Sequence, residues 1–244
     1  MDSKRASGGR HSLRTTGLSL LLFDIDGTLL LSGGAGVRAM TRTFESLFGV
    51  PDAFAGIPVG GNTDSFLLST ALTRANLPDQ AVVHAQFRAA YLPVLEREIQ
   101  WRGSGRYGVM PGVEQLLAAA CGSEPFHLAL LTGNYEPAAR IKLAHFGLAD
   151  YFSWGTFGEE STSRDDLGRI AMSRARQRQL PAKVLERAVV IGDTPHDIAC
   201  ARAAGVRMLA VATGHYSVPD LEAAGADQVL LDLTDTAHVL EMLR

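Results

Sequence analysis

Three short polar stretches carry side chains that could do chemistry together. Asp24 and Asp26 follow the apolar run LLLF, Thr132 begins Thr-Gly-Asn, and Asp193 and Asp197 lie within GDTPHD. Four carboxylates in one crevice repel one another, and each has a raised pKa unless something positive lies among them. Mg²⁺ is the natural candidate, because it binds hard oxygen ligands and is often held by one or two carboxylates plus a substrate phosphate.

Each of these residues also has an ordinary structural interpretation. An Asp directly after a strand is commonly a turn or capping residue, and Thr132 has the same alternative. Asp193 and Asp197 would suit the cap of a helix that begins near Pro195. That interpretation is adequate for any one stretch alone. It becomes much weaker when all three stretches are considered together.

The elements that must position these residues are short, continuous apolar runs. Such runs are typical of strands buried on both faces, and most are followed by a helical pattern, which predicts an α/β fold with a mainly parallel sheet. The predicted strands are residues 18–23, 127–131, 188–192, 206–211 and 228–231, with a less certain one near 151–157. Ligands bind at the carboxyl ends of parallel strands, which is where the three polar stretches lie.

Residues 35 to about 108 interrupt the alternation of strands and helices, because their sequence predicts three helices and no strand. The first ends at Gly49, the second follows Asn62, and the third runs from Pro78 to about Ile99, with Pro93 kinking or dividing it. We therefore predict a helical module at 33–108 inserted into a core formed by 17–32 and 109–244. A basic, Gly- and Ser-rich segment at 1–16 is predicted to be a disordered tail, with a transit peptide as the alternative.

Composition limits the function classes. The 244 residues are 46% hydrophobic and 20% charged, with a formal net charge of −3, which argues against binding nucleic acid through bulk charge. The two cysteines show no metal-ligand spacing and suit a reducing cytosol, so we expect a cytoplasmic protein. No run of 18 apolar residues occurs, so no membrane partner is expected.

The three polar stretches together resemble motifs I, II and IV of the haloacid dehalogenase superfamily of phosphohydrolases. The helical insert between the first two is similar to the C1 cap of that family. Gly60-Gly61-Asn62-Thr63-Asp64 within the insert resembles the branch that is similar to phosphoglycolate phosphatases. The resemblance covers residues 18–235 and implies a Rossmann-like core.

The resemblance also implies roles for the acidic residues. Asp24 would attack phosphorus and form an aspartyl-phosphate, while Asp26 would act as general acid and then general base. Mg²⁺ would be held by Asp24, Asp193 and the main-chain carbonyl of Asp26. Asp197 would ligate the ion through water or orient its surroundings.

Further residues are expected to bind the substrate. Thr132 and the amides near Gly133 and Asn134 would bind the phosphoryl oxygens. The resemblance brings Asn62, in the insert, close to the site. Gly27 lets the chain turn away after Asp26 and is also expected next to the substrate.

The motif III cation departs from the family pattern. The family usually has Lys there, but this chain has no lysine between Lys142 and Lys183. Our first choice is Arg164, which we place in a polar loop ahead of a helix, and our second is Arg169. Arg retains the positive charge, but its guanidinium group is bulkier, planar and bidentate, so it does not simply replace Lys.

These expectations combine into a Mg²⁺-dependent phosphatase for a small phosphomonoester metabolite, phosphoglycolate-like or a sugar phosphate, acting as a monomer or homodimer. The nearest alternative is a phosphoryl mutase of the β-phosphoglucomutase type. Another is a non-catalytic ligand-binding relative, although Asp24 and Asp26 are both present. Dehalogenation is disfavoured because those relatives lack the second aspartate, and phosphonate cleavage would need an insert lysine that residues 33–110 lack.

Overall fold

The computed structural model describes residues 19–122 and 126–244, so the tail predicted at 1–16 lies outside the described residues. In chain order the strands are β1 (Leu20–Phe23), β2 (Leu30–Ser32), β3 (Tyr107–Val109), β4 (His127–Leu131), β5 (Gly155–Thr156), β6 (Val189–Gly192), β7 (Arg207–Val211) and β8 (Gln228–Leu230). The helices are α1 (Ala35–Phe48), α2 (Asp64–Arg74), α3 (Ala81–Glu98), α4 (Val113–Ala120), α5 (Glu136–His145), α6 (Arg164–Gln177), α7 (Ala182–Leu185), α8 (Pro195–Ala204), α9 (Val218–Ala223) and α10 (Thr236–Met242). Among these helices, none has both the length and the apolar character needed to span a bilayer.

Six strands form one parallel sheet in the order β5-β4-β1-β6-β7-β8. This confirms the predicted α/β class, and the less certain strand near 151–157 is the two-residue β5. Strand β1 lies between β4 and β6, so the three strands that precede the polar stretches are neighbours. Their carboxyl ends therefore meet at one edge of the sheet.

Strand β1 is buried on both faces, which explains its continuous apolar sequence. Leu21 and Phe23 pack into one apolar cluster with α4 and α10, while Leu20 and Leu22 pack into a second with α6 and α8. All four side chains are 0% exposed. Burying each contributes about 2 kcal/mol, so the strand holds the residues that follow it in a fixed position.

Helices α1 to α3 pack around an apolar cluster of their own. Aromatic rings are prominent in it, and Phe44 makes an edge-to-face contact with Phe54 at a centroid distance of 5.7 Å. The third helix begins at Ala81 and continues through Pro93, so of the two predicted effects of Pro93, a kink or a division, the division does not occur. Pro93 and Ala89 are both exposed, and water can therefore bond the carbonyl that the proline leaves without a donor.

A two-stranded antiparallel ribbon connects these helices to the rest of the chain. Strands β2 and β3 pair with Leu30 opposite Val109 and Ser32 opposite Tyr107. The prediction of no strand between 35 and about 108 was therefore wrong at its end, because β3 begins at Tyr107. A strand of three residues is too short to give a periodic signal in the sequence.

Candidate active site

Asp24 lies directly after β1. Its backbone N–H donates to the carbonyl of Ile191, which extends the pairing with β6. The Asp24 side chain is nearly buried, and Ile25 packs into the core, because successive residues of an extended chain face opposite ways. Burial raises the pKa of Asp24 to about 6, and the adjacent Arg164 guanidinium opposes that rise.

Asp26 presents its carboxylate to a cavity at the edge of the sheet. The Lys142 ammonium donates to both carboxylate oxygens, at 2.6 and 2.8 Å. The side-chain amide of Asn134 donates to the same carboxylate at 2.8 Å. Because 38% of the Asp26 side chain remains exposed, it is held on one side and open to the cavity on the other.

Lys142 is a site residue that the sequence reasoning missed. It lies on α5 with only 4% of its surface exposed, and it also donates to Asn134 Oδ1 at 2.6 Å. A signal was available, since Lys142 follows Ala138 by four residues and falls on the buried face of the helix. A lysine there extends its methylene stem along apolar surface and delivers its charge at the end.

The second polar stretch forms part of the cavity wall. Thr132 is fully buried, and its hydroxyl accepts from the backbone N–H of Asn134 at 3.3 Å and from its side-chain amide at 2.8 Å. Asn134 in turn reaches Asp26. Gly133 and Asn134 form the surface of the cavity, whereas Thr132 supports them from beneath.

The helical insert touches the site through Gly133. The Gly133 carbonyl accepts from the backbone N–H of Asp64 at 2.7 Å, and the Asp64 carboxylate accepts from the N–H of Tyr135 at 2.8 Å. A Cβ at position 133 would lie 2.2 Å from the carbonyl oxygen of Asn62, so only glycine permits this approach. Asn62 itself lines the cavity, with its side-chain amide donating to Pro58.

The third stretch places two carboxylates at the end of β6. Asp193 accepts from the hydroxyl of Thr28 at 2.9 Å. A Cβ at Gly27, which has φ +92°, would lie 2.3 Å from the Asp193 carboxylate. Asp197 accepts from the N–H and hydroxyl of Thr194, so it does cap α8, and the ordinary structural interpretation applies to it as well.

Arg164 contacts this cluster and lines the same cavity as Asp24 and Asp193. Its guanidinium lies 2.5 Å from Asp197 and 3.1 Å from Asp24, and it donates to the carbonyl of Leu131 at 2.9 Å. Only 4% of the side chain is exposed. Arg164 therefore supplies positive charge to two of the clustered carboxylates.

The local structure around Arg164 differs from the prediction. We placed it in a loop at Glu159–Asp166, but it is the first residue of α6. Asp165 and Asp166 complete the first turn, where negative charge is favoured by the helix dipole. Our second choice, Arg169, is 58% exposed and pairs with Asp166 at 2.7 Å, away from the other site residues.

The acidic cluster has the chemistry of a divalent-cation site. Asp24, Asp193 and Asp197 each offer a carboxylate oxygen, and these oxygens lie within 4.8 Å of one another. Burial, followed by the nearby Asp197 and Asp24 charges, raises the pKa of Asp193 well above its ordinary range. Hard oxygen donors with excess negative charge fit Mg²⁺. The Asp26 side chain contacts Lys142 instead, so the part of Asp26 that was expected to ligate Mg²⁺ is its main-chain carbonyl.

A cavity of about 270 Å³ joins these groups. The sheet edge forms its floor with Asp24, Asp26 and Asp193, and the helical insert forms the opposite wall. The structure thus brings together Asp24, Asp26, Asn134, Arg164 and Asp193 from four different segments of the chain.

Comparison with known proteins identifies the family. Residues 21–202 match the model of haloacid dehalogenase-like hydrolases. The chain is 28% identical over 198 residues to the tyrosine-protein kinase PtkA of Mycobacterium tuberculosis, covering 80% of this chain but only 62% of that relative. It is 27% identical over 202 residues to a phosphoglycolate phosphatase of Cereibacter sphaeroides, covering 82% and 87% of the two chains. The crystal structure of CbbY from Rhodobacter sphaeroides in complex with phosphate superposes with a TM-score of 0.65 at 22% identity, over 89% of this chain and 95% of that one. The chain belongs to the haloacid dehalogenase-like hydrolase family.

Proposed function

We propose that the protein is a Mg²⁺-dependent phosphatase that hydrolyses a small phosphomonoester through an aspartyl-phosphate. One observation carries the proposal. Asp24 is a buried carboxylate fixed at the end of the central strand, and Asp26, two residues later, is held by Lys142 and Asn134 beside the same cavity. A nucleophile and an acid/base group are thus presented to one substrate.

The proposed reaction uses these positions. An Asp24 carboxylate oxygen attacks phosphorus and forms the aspartyl-phosphate, while the bond to the leaving oxygen breaks and Asp26 gives that oxygen a proton. Asp26 then takes a proton from water, and the water oxygen attacks phosphorus to release phosphate and Asp24. Thr132, Gly133 and Asn134 are proposed to bind the phosphoryl oxygens, and Gly27 and Asn62 to line the substrate.

The metal would be held by Asp24, Asp193 and the main-chain carbonyl of Asp26, with Asp197 acting through water. It would neutralise the repulsion between the carboxylate nucleophile and the phosphoryl group. Arg164 is proposed as the motif III cation, because its guanidinium compensates Asp24 and Asp197 at the edge of the cavity.

Phosphate release across a panel of phosphomonoesters tests this function. We expect turnover with Mg²⁺, a loss of at least about 100-fold in EDTA, and recovery when Mg²⁺ is restored. Equal rates in EDTA would overturn the metal's role. Release from no ester at all would overturn the phosphatase itself.

Lys142 gives a second test, because its ammonium group donates to both carboxylate oxygens of Asp26 and to Asn134 Oδ1. We expect Lys142→Met to lower kcat about 100-fold or more, since proton transfer by a positioned group contributes about 10²–10⁴-fold. KM should change little, and Lys142→Arg should recover part of the rate. Lys183→Met, at an exposed position, is the matched control. A variant with normal kcat would show that Asp26 does not need this partner.

The mutase alternative uses the same residues but returns the phosphoryl group to an alcohol instead of water. Product analysis separates the two, because a mutase gives an isomeric sugar phosphate and little free phosphate. A ligand-binding protein would give neither product. The chain is proposed to act in the cytoplasm on a small molecule, and both of its cysteines are free thiols.

A further inference from the structure

Building on the proposed phosphatase function, we propose that the cavity selects phosphomonoesters whose leaving group is uncharged and partly apolar. Leaving groups that carry a carboxylate or a second phosphate are discriminated against. The proposal rests on the side chains that face the cavity from the insert, opposite the catalytic carboxylates.

The side chains that the insert turns to the cavity are apolar or aromatic except for those of Asn62 and Asp64. Its apolar wall is formed by Val37, Met40, Val59, Leu67 and Tyr91. Three of these, Met40, Leu67 and Tyr91, are at most 2% exposed and cannot swing away to make room for hydrated charge. An anionic group against this wall would lose water without gaining a partner, which is unfavourable.

The two Lys or Arg side chains among the described residues that line the cavity are Lys142 and Arg164. Both are already paired, Lys142 with Asp26 and Arg164 with Asp24 and Asp197. Positive charge at the floor is therefore used by the catalytic carboxylates.

Arginines of the insert contact other groups. Arg38 and Arg42 pair with Glu98 at 2.8 Å each. Arg74 donates to the carbonyl of Ala55 at 3.0 Å. These guanidinium groups belong to the internal structure of the insert and do not line the cavity.

Arg88 is likewise occupied outside the cavity. Its guanidinium lies over the ring of Tyr135 at 5.6 Å and 3.9 Å from Glu159. The carboxyl group that the insert brings to the cavity is that of Asp64, which is 8% exposed. A carboxyl there offers a leaving-group anion no positive partner, and when ionised it repels one.

Matched pairs of esters test the selectivity. We expect kcat/KM for 2-hydroxyethyl phosphate to exceed that for phosphoglycolate at least about 10-fold, although the two differ only at the carboxylate. The kcat/KM for butyl phosphate should likewise exceed that for 1,4-butanediol bisphosphate at least about 10-fold. Equal or reversed preference in both pairs would overturn the proposal.

Two substitutions locate the effect. Asp64→Asn keeps an oxygen that can accept from the N–H of Tyr135. It should lower the ratio of kcat/KM for 2-hydroxyethyl phosphate to kcat/KM for phosphoglycolate about 3-fold or more. Val59→Lys places a cation on a wall residue that is 38% exposed, and it should lower the same kcat/KM ratio further. Asp52→Asn and Val82→Lys, at exposed insert positions, should leave the ratio unchanged. Equal effects from these controls would contradict the assignment to the wall.

A binding measurement separates failure of this proposal from failure of the phosphatase. Calorimetry with the Asp24→Asn variant and Mg²⁺ should show at least about 10-fold tighter binding of butyl phosphate than of phosphoglycolate. If wild type releases no phosphate but this preference holds, the phosphatase proposal fails and the selectivity stands. If phosphoglycolate binds as tightly or more tightly, the selectivity proposal fails whatever the turnover.

Discussion

Replacing Asp24 with Asn should abolish phosphate release, with a loss of at least about 10⁴-fold in kcat, because an amide cannot form the covalent intermediate. Acid quenching during turnover of a radiolabelled phosphate ester should trap label on wild type and none on the variant. Phosphate release by the two proteins should be compared at equal folded concentration.

The fold should survive this change. Burial disfavours the charged form of Asp24 and raises its pKa to about 6, so a neutral amide removes a buried charge that costs free energy at neutral pH. Arg164 keeps Asp197 and the Leu131 carbonyl as partners. We therefore expect the metal-free variant to be no less stable than wild type in urea. Asp150→Asn, at an exposed position, is the control for charge removal. A variant with wild-type turnover would rule out Asp24 as the nucleophile.

Replacing Arg164 with Ala should have the largest effect on stability. The substitution leaves the buried carboxylates of Asp24 and Asp197 without their cation, and removing one partner of a buried ion pair costs about 3–5 kcal/mol. Urea unfolding at pH 7 measures this cost. The same substitution should reduce kcat strongly, measured on the folded fraction at saturating Mg²⁺.

Arg169 provides the matched control for Arg164. Its side chain is exposed and pairs with Asp166 within one helix, so Arg169→Ala should change stability by at most about 0.5 kcal/mol and leave kcat unchanged. Arg164→Lys should recover part of the stability, since it restores charge without the planar fork. Loss of activity in Arg169→Ala alone would overturn the choice of Arg164 as the motif III cation.

The sheet and the meeting of its polar ends could be predicted from local sequence. A strand buried on both faces must be apolar at every position, and Leu20–Phe23 meets that condition in full. Polar residues and glycine directly after such a run mark its carboxyl end. Parallel strands bring those ends to one edge, which is why Asp24, Thr132 and Asp193 could be expected near one another before any coordinates.

The partners of these residues could not be predicted in the same way. Lys142 meets Asp26 across 116 positions of sequence, and a lysine on a helix is usually solvated, so its type alone gave no reason to place it in the site. Arg164 and Arg169 share one helix and one charge, yet only the orientation of α6 against the sheet directs one inward and the other to solvent.

The sequence by itself determined the fold class, the strands that end in polar residues and the carboxylates at those ends. These depend on burial and on backbone periodicity, which are local properties of the chain. Only the tertiary structure decided which cations compensate the carboxylates and which side chains face the leaving group. Those outcomes depend on how α5, α6 and the insert pack against the sheet, and that packing is set by contacts between residues far apart in sequence.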